Sequence, residues 1–129
     1  MRAVLDTSVL IGNDAPPAGV ESSISTVSIT ELHYGVLVAS DDDVRALRVA
    51  RLGLIEARFP DPLPLNDRVA REWARLQAAV THRGGKRRRR SADLAIAATA
   101  NVHGAALLTH NLEDFTIIAD LVDARDAFT

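Results

Sequence analysis

At 129 residues, with 47% hydrophobic and 25% charged side chains, the chain has the composition of one soluble domain able to bury a core without disulfides or structural zinc. It has no cysteine, which excludes thiolate catalysis, cysteine-ligated metals and a disulfide framework, and its net charge of -2 argues against coating nucleic acid by bulk electrostatics. The first ten residues hold an acid and lead into no long apolar run, so they predict neither a secretory signal nor a membrane span; one cytoplasmic domain over residues 1–129 is expected.

Residues 2–5 are a short β-type run that ends at Asp6, and Thr7, Ser8, Val9, Leu10 and Ile11 predict one or two helical turns. Residues 12–19, with Pro16 and Pro17, form a loop. Residues 24–29 alternate apolar and hydroxyl side chains, which predicts a strand, and Ser28 with Glu31 has the S-x-x-E form of a capping box opening a helix over 29–38. Asp41, Asp42 and Asp43 offer N-caps for a helix to about residue 57, on which Val44, Leu47, Leu54 and Ile55 are expected to share a face. Residues 63–65, set between prolines, are a strand candidate. Asn66 or Asp67 then caps the clearest helix, with Val69, Trp73, Leu76 and Val80 at i, i+4, i+7 and i+11. Gly84, Gly85 and an arginine run close it, and Ser91 opens a helix to about His103, ended by Gly104. Residues 105–109 suit a buried strand, 111–115 a helical turn, and 117–122 a last strand.

Short apolar strands alternating with helices predict an α/β fold, a three-layer α/β/α sandwich with a mostly parallel central sheet. Ligands in such sheets bind outside the strand C-terminal ends, so residues just after strands are where chemistry is expected. Asp6, Glu31 and Asp93 stand after strands or in the first turn of a helix, and Asp114 follows residues 105–109 by one turn. Each is also what a helix N-terminus favours, for about 0.3 to 1 kcal/mol. Convergence separates the two readings: carboxylates gathered in one cleft repel one another, and a divalent cation resolves that conflict. All-oxygen ligation suits Mg2+ or Mn2+, and at a phosphodiester such an ion polarises phosphoryl oxygens and activates water. The four histidines, His33, His82, His103 and His110, have no metal-ligand spacing, and neither a P-loop nor a dinucleotide glycine signature occurs.

Four blocks, MRAVLDTSVLI, SITELHYG, SADLAIAATA and GAALLTHNLEDF, in that order and spacing, resemble the PIN-domain ribonucleases, and more narrowly the VapC-type toxins of bacterial type II toxin–antitoxin pairs. The resemblance implies a metal-dependent endoribonuclease toxin that hydrolyses RNA phosphodiester bonds, with a non-cleaving RNA- or antitoxin-binding module as the alternative. It places Asp6, Glu31 and Asp93 on the family's metal-binding acids and Ser8 on a supporting hydroxyl. Either Asn111 or Asp114 completes the set; Asp114 is favoured because a carboxylate holds a cation better than an amide. Thr109 and Asn111 then orient the ligands by hydrogen bonds.

The cationic run Arg87, Arg88, Arg89 and Arg90 departs from the mixed residues usual before the third acid, and is expected either to grip RNA phosphates or to be a solvated loop. Few aromatics are present, one Trp, one Tyr and three Phe, so base stacking is limited. The resemblance also implies a VapB-like antitoxin whose C-terminal segment lies across the cleft, promoter DNA bound only through that antitoxin, a homodimer, and no membrane association. The hairpin over residues 29–57, with Leu32, Val36, Leu37 and Val38, is a candidate surface for the antitoxin segment.

Overall fold

The computed structural model describes residues 1–12, 15–86 and 91–127. Its strands are β1 (Arg2–Leu5), β2 (Glu21–Ser23), β3 (Ala106–Thr109) and β4 (Ala124–Asp126). They form one sheet in the order β2-β1-β3-β4, and every neighbouring pair is parallel. Parallel neighbours cannot be joined by tight turns, so the helices that return the chain cover the faces. These are α1 (Thr7–Ile11), α2 (Thr26–Leu37), α3 (Asp42–Arg58), α4 (Asp67–His82) and α5 (Ser91–Val102), with a 3-10 helix over Leu112–Ile118.

The period-2 alternation of the central strands divides the core between the two faces. Val4 stands opposite Leu107, and both belong to the cluster formed with Val69, Leu76 and Val80 of α4 and with α5. Ala3, Leu5 and Leu108 belong to the other, with Val9 and Leu10 of α1, Leu32 of α2, and Leu52 and Ile55 of α3. The expected three-layer α/β/α sandwich is therefore present, with a wholly parallel sheet. α5 is buried on every side from Leu94 to Ala100, as an all-apolar helix must be, and it packs along α4. Past its end, Gly104 adopts φ +60, a left-handed position that glycine takes without strain.

Asp41 and Asn66 cap α3 and α4 as expected, accepting from Val44 N and Val69 N at 2.8 and 3.0 Å. Four expectations fail. The strand placed over 24–29 lies earlier, as β2, and α2 begins at Thr26 with Ser25 as its N-cap, accepting from Val27 N at 3.0 Å. Ser28 is consequently a buried residue inside the helix and not its cap. The alternation of β-branched and hydroxyl residues suits a strand locally, but their packing decides for a helix. Residues 63–65 reduce to a single parallel bridge from Leu63 to Ser25, because the adjacent prolines cannot donate to a ladder. Residues 117–122 lie in the 3-10 helix and a turn, where Ile118 and Val122 fill the core; the last strand is β4. On α3 the buried pair is Leu52 and Ile55, while Leu47 and Leu54 are 73% and 75% exposed.

Candidate active site

The central strands β1 and β3 end side by side, and the ladder runs one residue past β1, with Asp6 N donating to Leu108 O at 2.9 Å. Asp6 is then the N-cap of α1, in extended conformation, and only 3% exposed. Its Oδ1 accepts from Thr7 N at 3.0 Å. Its Oδ2 accepts from Ser8 Oγ at 3.0 Å and from Thr109 Oγ1 at 2.8 Å. The two hydroxyls are themselves fixed from behind: Ser8 Oγ accepts from His110 N at 3.1 Å, and Thr109 Oγ1 from Asn111 N at 3.0 Å. The turn after β1 is thus tied to the turn after β3, and every donor to this buried carboxylate is neutral.

A second chain of bonds leaves Asp6 through Thr7. Thr7 Oγ1 donates to Glu31 Oε1 at 2.6 Å and lies 2.9 Å from Ser28 Oγ. A hydroxyl has one proton, so with Thr7 donating to Glu31 it is Ser28 that donates to Thr7. Glu31 is half-buried in the second turn of α2, and among the described residues its Oε2 receives no hydrogen bond. Ser28 and Glu31 therefore act together at the α1–α2 contact and not as a capping box.

Asp93 is the third residue of α5, whose return path to the start of β3 sets its N-terminal turn on the sheet edge where β1 and β3 end. Asp114 is the third residue of the 3-10 helix that follows β3, and both side chains are half-buried. Asn111 precedes that helix, exposed, and makes no side-chain cap. Among the described residues no three His, Asp or Glu side chains stand close enough to hold one ion between them. The hydrogen bonds join Asp6 to Glu31; Asp93 and Asp114 share the edge by topology. Residues 87–90, the arginine run, lie outside the described residues.

Sequence reasoning missed Thr7 and Ser28. The available signal was a run of hydroxyls beside an acid: Thr7 sits between Asp6 and Ser8 in an otherwise apolar turn, where a hydroxyl is kept only if it finds a partner.

The chain and its fold have counterparts among known proteins. Residues 3–121 match the family model described as the PIN domain. The chain is 38% identical over 126 residues to ribonuclease VapC4 of Mycobacterium tuberculosis, covering 93% of each, and 37% identical over 121 residues to VapC5 of that organism, covering 89% of this chain and 86% of the relative. It is similar to the crystal structure of VapBC-5, a toxin–antitoxin system of M. tuberculosis, with a TM-score of 0.80 and 33% identity over 97% of this chain and 96% of that one. VapBC2 of Rickettsia felis, solved on a DNA fragment from its promoter, shares the fold at a TM-score of 0.78 and 20% identity, over 98% of each chain. With its parallel sheet, its buried Asp6 and this extent of likeness, the chain belongs to the PIN-domain family, among the VapC ribonucleases.

Proposed function

We propose that this chain is the toxin of a cytoplasmic toxin–antitoxin pair and cleaves RNA as a divalent-metal-dependent endoribonuclease. The observation that carries the reading is the buried Asp6 carboxylate, held at the end of β1 by Thr7, Ser8 and Thr109 and linked through Thr7 to Glu31. A buried charge bonded only to neutral donors calls for a compensating cation. The donor set, all carboxylate and hydroxyl oxygen, fits a hard dication. Asp6, Glu31, Asp93 and Asp114 would hold it. When bound, Mg2+ or Mn2+ supplies Lewis acidity toward a phosphoryl oxygen and a lowered pKa for bound water.

The chain's own side chains do the rest. Ser8 and Thr109 fix the rotamer of Asp6, Thr7 fixes that of Glu31, and Glu31 Oε2 is left to ligate or to orient the attacking water. Asn111 orients the site from the turn after β3. Arg87, Arg88, Arg89 and Arg90 grip phosphates on either side of the scissile bond.

The antitoxin reading rests on the likeness to a VapBC pair and on an apolar groove. That groove, of about 400 Å³, is bounded by Leu5, Val9, Leu10, Ile55 and Phe59, with Arg51 and Arg58 at its edge. It lies between α1 and the second half of α3; of the hairpin residues expected to face the antitoxin, Leu32 is buried while Leu37 and Val38 are exposed. Promoter DNA is contacted through the antitoxin. No helix among the described residues is long and apolar enough to cross a membrane.

The test is the chain freed of antitoxin, incubated with structured RNA and Mg2+ or Mn2+ beside Asp6→Ala. Cleavage by the wild type alone, abolished by chelation, supports the reading; equal cleavage by both proteins defeats it.

A further inference from the structure

The groove between α1 and the second half of α3 is apolar in its body and cationic in its charge. Arg51, Leu54, Ile55 and Arg58 line it from i, i+3, i+4 and i+7, one stripe of α3, and among the described residues no acid faces them there. Arg45, Arg48 and Arg51 are spaced evenly along the same helix, yet they end differently. Arg45 donates to Ala39 O at 2.8 Å and Arg48 to Gly35 O at 2.6 Å, so both close the end of α2. Arg51 makes no hydrogen bond or ion pair among the described residues, and its Nε–H is buried without an acceptor. Arg58 makes no ion pair either and lies 5.1 Å from the centroid of the Phe59 ring. A buried donor without an acceptor destabilises the chain that carries it, and a guanidinium cannot shed its proton to escape. Arg51 is thus a cost to the chain alone, of the kind a bound partner removes.

We propose that Arg51 is the residue by which this groove selects its antitoxin: the inserted segment is apolar and carries one carboxylate, from Asp or Glu, that the Arg51 guanidinium takes as a fork through Nε–H and a terminal N–H. The inference rests on the toxin–antitoxin reading above and adds the chemistry the partner must bring. The apolar body of the groove accepts any hydrophobic segment of suitable size, so it discriminates little between antitoxins. The charge does discriminate. An amide or an apolar side chain opposite Arg51 leaves Nε–H buried and unmatched, and a Lys or Arg there sets like charges together. Arg58, exposed at the rim, adds attraction for an acidic segment during approach more than strength once it is seated.

The test is a titration of antitoxin into the full chain and its variants, with thermal melting of each chain alone. Arg51→Met is expected to melt at or above the wild-type temperature, because an unmatched buried donor is gone, and to bind antitoxin at least about tenfold more weakly. Arg51→Lys keeps the charge without the fork and is expected to recover only part of that loss. Each Asp and Glu of the antitoxin's toxin-binding segment is then replaced by its amide, one at a time. One of these is expected to weaken binding to the wild type by a similar factor and to Arg51→Met by less than about twofold. Arg51→Met binding as tightly as the wild type overturns the inference, as does an Arg51→Met loss that couples to no acid of the antitoxin. If Arg51→Met spares the antitoxin and weakens RNA binding, the guanidinium holds a phosphate and the inference fails. Should Arg51→Met not fold, the same cycle with Arg51→Lys decides. A wild-type chain that binds no antitoxin defeats the toxin reading and this inference with it, whereas equal binding by wild type and Arg51→Met defeats this inference alone.

Discussion

The buried Asp6 carboxylate accepts hydrogen bonds from Thr7 N, Ser8 and Thr109, and these neighbours define how it answers to substitution. Ser8 and Thr109 are hydroxyls that donate to Oδ2 and can turn to accept from an amide. Asp6→Asn is therefore expected to fold, with a melting temperature equal to or above that of the wild type because a buried charge is gone, and to lose cleavage by roughly a hundredfold or more. Thermal melting and an RNA cleavage rate on the same preparation check both halves. Thr7 acts one bond further out, as a positioning residue for Glu31. Thr7→Val leaves Glu31 Oε1 and Ser28 Oγ without their partner, so it is expected to cost about 1–2 kcal/mol of stability and about 10–100-fold in cleavage. Thr7→Ser keeps the hydroxyl and restores most of both; a Thr7→Val protein as active as the wild type would remove Thr7 from the site.

The elements differ in how openly the sequence announces them. α4 was legible because its apolar period, its Asn66 cap and its burial all agree. The start of α2 was not, because Ile24, Val27 and Ile29 alternate with hydroxyls as a strand would, and the cap at Ser25 and the tertiary contact of Ser28 with Thr7 show why the helix starts three residues early. β4 was missed for a related reason: Ile117, Ile118, Leu121 and Val122 make that stretch apolar, yet they pack on the core from a 3-10 helix and a turn, while the strand itself reads ARD. The bond that joins Asp6's turn to Glu31 was not legible, since Thr7 and Glu31 meet only after α1 and α2 pack. Packing also sets limits on α5, where Ala98 is fully buried. Ala98→Leu is expected to destabilise by about 1–3 kcal/mol in chemical denaturation, through overpacking. Where α4 meets α5, Arg75 forks onto Glu72 with two bonds of 2.7 Å, and Asn101 Nδ2 joins Glu72 Oε2 at 2.7 Å. The Arg75 guanidinium first, then the Asn101 amide, hold the Glu72 carboxyl below its ordinary value of 4.5, against the opposing effect of burial. A depressed folded-state value gives stability that is present above about pH 4.5 and lost as the pH falls through the folded value. Melting temperature is therefore expected to fall on acidification below that point, and Glu72→Gln to flatten that part of the profile; parallel profiles for the two proteins would contradict the assignment.

Across the whole molecule, a parallel sheet with helices on both faces presents one edge where β1 and β3 end and the N-terminal turns of α2 and α5 arrive. The same architecture that builds the core thus brings acids from four separate stretches of chain to one side. The phosphate grip proposed for the cationic run before α5 predicts a salt effect: replacing Arg87, Arg88, Arg89 and Arg90 by Gln is expected to weaken RNA affinity and flatten its dependence on salt, measured by a binding titration at several ionic strengths. Unchanged affinity and slope would assign the run to a solvated loop. The central proposal, that a divalent ion on binding draws Asp6, Glu31, Asp93 and Asp114 together at the sheet edge, is tested most directly by titrating Mn2+ calorimetrically into the wild type and into Asp6→Asn, Glu31→Gln, Asp93→Asn and Asp114→Asn. Each substitution is predicted to weaken Mn2+ binding by about tenfold or more; binding as tight in Asp93→Asn and Asp114→Asn as in the wild type would contradict the shared site.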